Sequence, residues 1–267
     1  MGRIIVFGAG GRAGRAAVEE ARRRGHRVTA VVRDPARYGD LAAGGAALTP
    51  DGAAGRTADD TVTTPDRAVT AAGDAAGRTA DAAVTTPDGS AASAGGGTAN
   101  GVPVVAGDVT EADVVVRLAV GHDAAINAAA DLGARPGDFF PAAARALLDG
   151  LARAGVGRLD PLGLASALET GSGTLLMDTP GYPQEYRAFY LGHAAGTDVL
   201  RTASTPLDWL VLSPAGDFDH GGTRTGRYRT APAGAASRIS YADFAIALLD
   251  EIDAPKHHRT HLGVEAG

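Results

Sequence analysis

The stretch Arg3-Ile-Ile-Val-Phe7, Gly8-Ala-Gly-Gly-Arg-Ala-Gly14, Arg15-Ala-Ala-Val-Glu-Glu-Ala-Arg-Arg-Arg24 decides the fold. A short apolar run meets a glycine-rich turn, and a segment with helical spacing follows. A second apolar run, Val28-Thr-Ala-Val-Val32, comes next. Strand, glycine turn, helix and strand in this order form the unit that holds a dinucleotide pyrophosphate. Glycines let the backbone turn sharply and approach phosphate with no side chain in between. The N–H groups at the helix start then face the anion, aided by the helix dipole. The cradle residues expected from this reading are Gly8, Gly10, Gly11, Arg12, Ala13 and Gly14.

The residue after the second strand selects the dinucleotide. A carboxylate there favours the ribose 2′-hydroxyl of NAD, and an arginine favours the 2′-phosphate of NADP. Arg33, in Val31-Val-Arg-Asp-Pro35, offers a planar bidentate donor, so NADP(H) is expected in preference to NAD(H). Arg12 and Arg37 could reach the same phosphate, and Asp34 is the alternative ribose partner.

Composition narrows the rest. A formal net charge of −6 argues against nucleic acid as the main partner. With Cys 0, disulfides, thiol nucleophiles and thiolate metal sites are excluded. No apolar run approaches the ~18 residues a membrane span needs. The chain opens directly on its first strand, without a secretory signal, so a cytoplasmic location is expected.

Residues 49–100 differ from their surroundings. They contain no Leu, Ile, Met, Phe, Tyr or Trp, and their larger aliphatics are Val62, Val69 and Val84. The run Ala53–Asp66 recurs as Ala75–Asp88 with two differences. So little apolar surface cannot offset an ordering cost of ~1–2 kcal/mol per residue. The segment reads as a flexible surface insertion in a single NAD(P)-binding domain spanning 1–267, with substrate-side segments over 163–240.

Beyond it the βα alternation resumes. Strands are expected at 102–106, 123–128, near 158–159, at 207–213 and at 260–264. Helices are expected at 111–119 (with Thr110 as N-cap), 139–154, 185–202 and 241–252 (capped by Ser240). This alternation predicts a doubly wound parallel sheet of Rossmann type, with ligands at the carboxyl ends of the strands. Asp108 and Val109 would lie beside the adenine. Asn127, Ala128 and Ala129 would pass beneath the ribose and nicotinamide.

Together these motifs resemble the atypical short-chain dehydrogenase/reductases, in the NmrA-like or NAD(P)H-binding branch with its NADH–flavin-reductase-like members. The resemblance rests on Gly8-x-x-Gly11-x-x-Gly14, Val32-Arg-Asp-Pro35, Gly107-Asp-Val109, Asp123-Ala-Ala-Ile-Asn-Ala128 and Ala154-Gly-Val-Gly-Arg158. It continues through Leu207-Asp-Trp209, Ser213-Pro214 and Arg238-Ile-Ser-Tyr-Ala-Asp-Phe-Ala245. It implies an NAD(P)H-dependent oxidoreductase acting on a small molecule, with monomer and homodimer both open. Two other outcomes stay open: an NADP(H)-binding sensor without turnover, and an epimerase or dehydratase that retains its cofactor.

The chain also departs from the broader superfamily. The Tyr-x-x-x-Lys pair is absent, because Lys256 is the sole lysine and Ile252 stands four residues before it. The remaining candidate proton donors are Tyr186 and His193, with Asp217 and His220 behind them. In the fifth strand, Pro161 removes a ladder donor and Asp160 places a carboxylate where burial is costly. The Lys256-His-His258 run reads as a solvated tail, and Arg22-Arg-Arg24 as the exposed side of the first helix.

Overall fold

Alternate residues of the first strand, β1 (Arg3–Phe7), face opposite cores. Ile4 and Val6 join one apolar cluster, and Ile5 and Phe7 join the other. A strand buried on both faces belongs inside a layered α/β sheet. The computed structural model describes residues 1–43 and 101–267. The insertion read from the sequence at 49–100 lies outside them.

The described chain runs β1, α1 (Arg12–Arg23), β2 (Arg27–Val32), α2 (Gly39–Ala42), β3 (Val104–Ala106), α3 (Ala112–Ala119), β4 (Ala124–Asn127), α4 (Pro136–Ala154) and β5 (Arg158–Pro161). It continues with α5 (Arg187–Thr202), β6 (Asp208–Pro214), β7 (Asp217–Asp219), β8 (Tyr228–Thr230), β9 (Arg238–Ser240), α6 (Tyr241–Asp253) and β10 (Thr260–Ala266). The main sheet has the order β3-β2-β1-β4-β5-β6-β10-β8. Its pairings are parallel except for β8, which joins β10 antiparallel. Strands β7 and β9 form a separate parallel pair. This is the Rossmann-type arrangement expected from the sequence.

Helices α1 and α6 cover the face carrying Ile4, Val6, Leu210 and Leu212. Helices α3 and α4, with Leu200 of α5, cover the face carrying Ile5, Phe7, Trp209 and Val211. In α1 the buried Ala16, Ala17, Val18 and Ala21 follow helical spacing, so one stripe packs inward. The Ser240 hydroxyl accepts from Asp243 N–H (3.0 Å), capping α6 as expected.

Several expectations need correction. Helix α1 starts at Arg12, directly from the glycine turn, rather than at Arg15. Thr110 does not cap α3. The helix begins at Ala112, and the N–H and hydroxyl of Thr110 donate instead to Asp108 Oδ1 at 2.8 and 2.7 Å. Arg24 is not an exposed helix face. At 19% side-chain exposure it holds Glu20 of α1 and Asp250 and Asp253 of α6.

The fifth strand survives its awkward residues by being short. Pro161 is its last residue, opposite Asn127, where the next N–H, that of Leu162, donates to Asn127 O (2.9 Å). Asp160 is fully buried, and Arg158 Nε lies 2.6 Å from its Oδ1, an ion pair by proximity without hydrogen-bond alignment. Burial pushes the Asp160 carboxyl up to about 7, against the pull of Arg158. Arg158 also holds Asp208 (2.5 Å). The Lys256–His258 run is largely solvent-facing, as read, but it is a loop before β10 and is anchored, with His257 Nδ1 at Glu251 (2.7 Å) and His258 Nδ1 at Asp208 (2.8 Å).

Candidate functional site

Parallel pairing sets Phe7 level with Val31 and with Asn127, so β1, β2 and β4 end at one edge of the sheet. At that edge lies a cleft of about 390 Å³. The glycine turn forms its floor. Gly8 has φ +72, and a Cβ there would sit 2.4 Å from Ala129 N. A Cβ at Gly14 would meet Gly8 O at 2.2 Å. These two glycines are demanded by the chain's own packing, Gly8 by its left-handed backbone and Gly14 by the closeness of α1 to the turn.

Gly11 is different. It is the N-cap of α1, with φ −73, and among the described residues the sole atom near a Cβ there is Gly8 O at 3.8 Å. The fold itself tolerates a side chain at this position. Because the first helical bond runs from Arg15 N–H to Gly11 O (2.8 Å), the N–H groups of Arg12, Ala13 and Gly14 have no acceptor within the helix. The first turn of α1 carries no acidic residue. A bare N-cap and open amides are a cradle for a diphosphate. The residues present therefore fit the group expected from the sequence.

The walls come from other strand ends. Gly10, Gly11, Arg12, Ala13, Gly14, Arg33, Asp108, Val109, Ala128 and Ala129 all line the cleft. Asn127 is not among the lining residues. Its Oδ1 accepts from Ala129 N–H (3.1 Å) and so shapes the Ala128–Ala129 turn against Gly8. Arg37 is likewise absent from the lining, and Asp34 caps a short 3-10 turn by accepting from Ala36 N–H (3.1 Å). Arg33 reaches Asp131, 2.7 Å away.

Toward β5 the lining turns apolar through Leu132, Phe139, Leu162 and Leu164. His193, on α5, is the imidazole at this end. Its ring lies 3.7 Å, centroid to centroid, from that of Phe140, and its Nε2 is buried with no hydrogen-bond partner among the described residues. Burial, with His261 adding to it, pushes the imidazole down to about 3. His193 is therefore neutral at physiological pH and is not an imidazolium acid. Tyr186 sits elsewhere. It is the N-cap of α5, its ring 6.4 Å from that of Tyr190, and it does not line the cleft.

Three contributors, Tyr38, Tyr241 and Phe218, were not singled out from the sequence. Tyr38 packs its ring where a Cβ of Gly10 would be, 2.4 Å away. Tyr241 and Phe218, stacked with ring centroids 4.3 Å apart, close the side beyond the glycine turn. His220 Nδ1 receives both Arg12 Nη1 (3.1 Å) and the Tyr241 hydroxyl (3.0 Å). Asp217, ranked with His220 behind the other candidates, accepts from Phe218 N–H (2.7 Å).

A doubly wound sheet with an open glycine cradle at its switch point defines a binder of nicotinamide dinucleotides. The chain belongs to the NAD(P)H-binding family, whose model matches residues 52–255. That match leaves out the glycine turn. The uncharacterized protein YwnB of Bacillus subtilis is 29% identical over 265 residues, covering 96% of this chain and 94% of its own. An exported-protein candidate of Burkholderia pseudomallei is 27% identical with a TM-score of 0.68, covering 99% of this chain and 100% of its own. A candidate NADH-flavin reductase of Streptococcus pneumoniae is 24% identical with a TM-score of 0.67, covering 100% of both chains. Among the described residues, no helix is long and apolar enough to cross a membrane.

Proposed function

We propose that this protein is an NADPH-dependent oxidoreductase that delivers hydride to a small conjugated acceptor: a quinone, a flavin or a polyketide-like carbonyl compound. The observation that carries the reading is the continuity of the cleft. Open helix amides lead without a break into an apolar end lined by Leu132, Phe139, Leu162 and Leu164. A nicotinamide dinucleotide bound there supplies a hydride, and two-electron reduction of the acceptor is completed by a proton from solvent.

The chain's own residues then have separate tasks. The N–H groups of Arg12, Ala13 and Gly14 bind the diphosphate. Arg33 takes the 2′-phosphate. The apolar end keeps water from the reacting face. His193 offers a neutral imidazole whose unpartnered Nε2 can hydrogen-bond the acceptor. A group neutral down to about pH 3 orients and polarises rather than protonates, which suits quinones and flavins better than simple ketones. Tyr186 has no such place in this reading, because it lies outside the cleft.

The test is NADPH oxidation, followed by loss of the reduced-nicotinamide absorbance, over a panel of quinones, flavins and carbonyl compounds. Turnover with a member of the panel, faster with NADPH than with NADH, supports the proposal. Stoichiometric NADPH binding with no turnover would instead make the chain an NADP(H)-binding sensor. The expected setting is the cytoplasm, with a small molecule as the partner.

A further inference from the structure

Arg33 is not waiting open for a phosphate. It stands just past β2, and Asp131 stands just past β4, with β1 and its glycine turn between those strands. Both residues line the cleft, and Arg33 Nη1 lies 2.7 Å from Asp131 Oδ2. The ion pair therefore joins the two walls over the glycine turn. Its two halves are not held equally. Asp131 Oδ1 accepts from Gly133 N–H (2.9 Å), which fixes the carboxylate in its loop. The Arg33 side chain is 54% exposed against 29% for Asp131. The guanidinium is thus the more solvent-facing half of the pair.

We propose that Asp131 sets how strongly the site discriminates between NADP(H) and NAD(H), by competing with the 2′-phosphate for Arg33. This rests on the reading of Arg33 as the 2′-phosphate ligand. Two effects act in one direction. The phosphate must displace or share the carboxylate on the guanidinium. A carboxylate left beside Arg33 also repels the phosphate at a separation shorter than the Debye length of ~8 Å at physiological salt. The dinucleotide without the 2′-phosphate meets neither penalty. The other arginine of the lining, Arg12, is turned to His220 on the far side of the glycine turn. Asp108 is occupied by Thr110, and Asp138 pairs with Arg135 (2.7 Å). Asp131 is a lining carboxylate paired with Arg33.

Calorimetric titration of the full chain with NADP⁺, NAD⁺, adenosine 2′,5′-bisphosphate and 5′-AMP tests this without any turnover. Asp131→Asn keeps an oxygen for Gly133 N–H and so preserves the loop. It should tighten NADP⁺ and the bisphosphate about three- to fivefold, the scale of a partly exposed ion pair. NAD⁺ and 5′-AMP should stay within about twofold. In an Arg33→Met background the gain from Asp131→Asn should fall below about twofold, because the contested group is gone. Equal changes for both dinucleotides, or an undiminished gain without Arg33, would overturn the inference while leaving the cofactor reading intact. If the wild type binds none of the four ligands, the cofactor reading fails and this inference falls with it.

Discussion

The two edges of the parallel sheet solve opposite problems. At the carboxyl edge, the glycine turn, Gly11 and the first turn of α1 present bare backbone with unspent donors. At the amino edge, buried Arg158, Asp160 and Glu251 and the more exposed Asp208, His257 and His258 contact one another in one cluster. There, Lys256 and His257 N–H groups also donate to Glu251. Burial works against the Asp208 carboxyl, but His258 and Arg158 hold it below its ordinary range. The contrast separates structural charge from functional polarity. A binding edge keeps backbone hydrogen-bonding capacity in reserve, and a structural edge sets its charges against one another.

The comparison breaks first at the amino edge. Arg158→Met would leave Asp160 buried without its cation. Losing one partner of a buried pair costs about 3–5 kcal/mol, and chemical denaturation should report a loss of that order. A loss below about 1 kcal/mol, the scale of a surface pair, would mean that the cluster is ornamental.

At the carboxyl edge the substitutions should divide by glycine. Gly14→Val drives a side chain into Gly8 O and should cost both fold and binding. Gly11→Leu meets open space, so thermal unfolding should hold near the wild-type temperature. Nucleotide affinity should nevertheless fall by more than about tenfold, because close backbone approach is what the position supplies. If Gly11→Leu unfolds the protein, the division between packing glycines and binding glycines is wrong.

His193→Phe is expected to lower kcat by about tenfold to a hundredfold while leaving the KM for NADPH nearly unchanged. The wild-type rate should be flat between pH 5 and 8 as far as His193 is concerned, since its imidazole titrates at about 3. A rate that rises or falls through pH 6.5, lost in the variant, would put a titrating imidazole back in the chemistry.

The pH response gives the sharpest contrast, because the two edges should respond with opposite signs. His193 has a folded pKa lowered from 6.5 to about 3. Its contribution to stability is present above pH 6.5 and is lost as pH falls toward 3. Asp160 has a folded pKa raised from 3.8 to about 7. Its contribution is present below pH 3.8 and is lost as pH rises through 7. Denaturation midpoints of His193→Phe and Asp160→Asn, measured against the wild type across pH 4–8, should diverge in opposite directions. Parallel curves would contradict the two burial assignments.

The carboxyl edge was far more legible in the sequence than the amino edge, for a physical reason. A glycine cradle is built from consecutive residues, so Gly8 through Gly14 and the strands around them are read together. The Ser240 cap was legible because its hydroxyl acts on a helix three residues away. Contacts between distant segments leave no such trace. Nothing local links Arg33 to Asp131, Arg12 to His220, or Tyr38 to Gly10. Thr110 misled because Asp108, two residues earlier, captured its N–H and hydroxyl. The anchors of the Lys256-His-His258 run were hidden because Asp208 and Glu251 sit on other elements.

The central claim is that open amides at the start of α1 hold a diphosphate and that Arg33 reads its adenosine end. Isothermal titration of the purified chain with NADPH and NADH measures this directly. The account predicts one site per chain, tighter for NADPH, with most of the heat lost in Gly11→Leu. No heat with either nucleotide, or heat unchanged by Gly11→Leu, would contradict it.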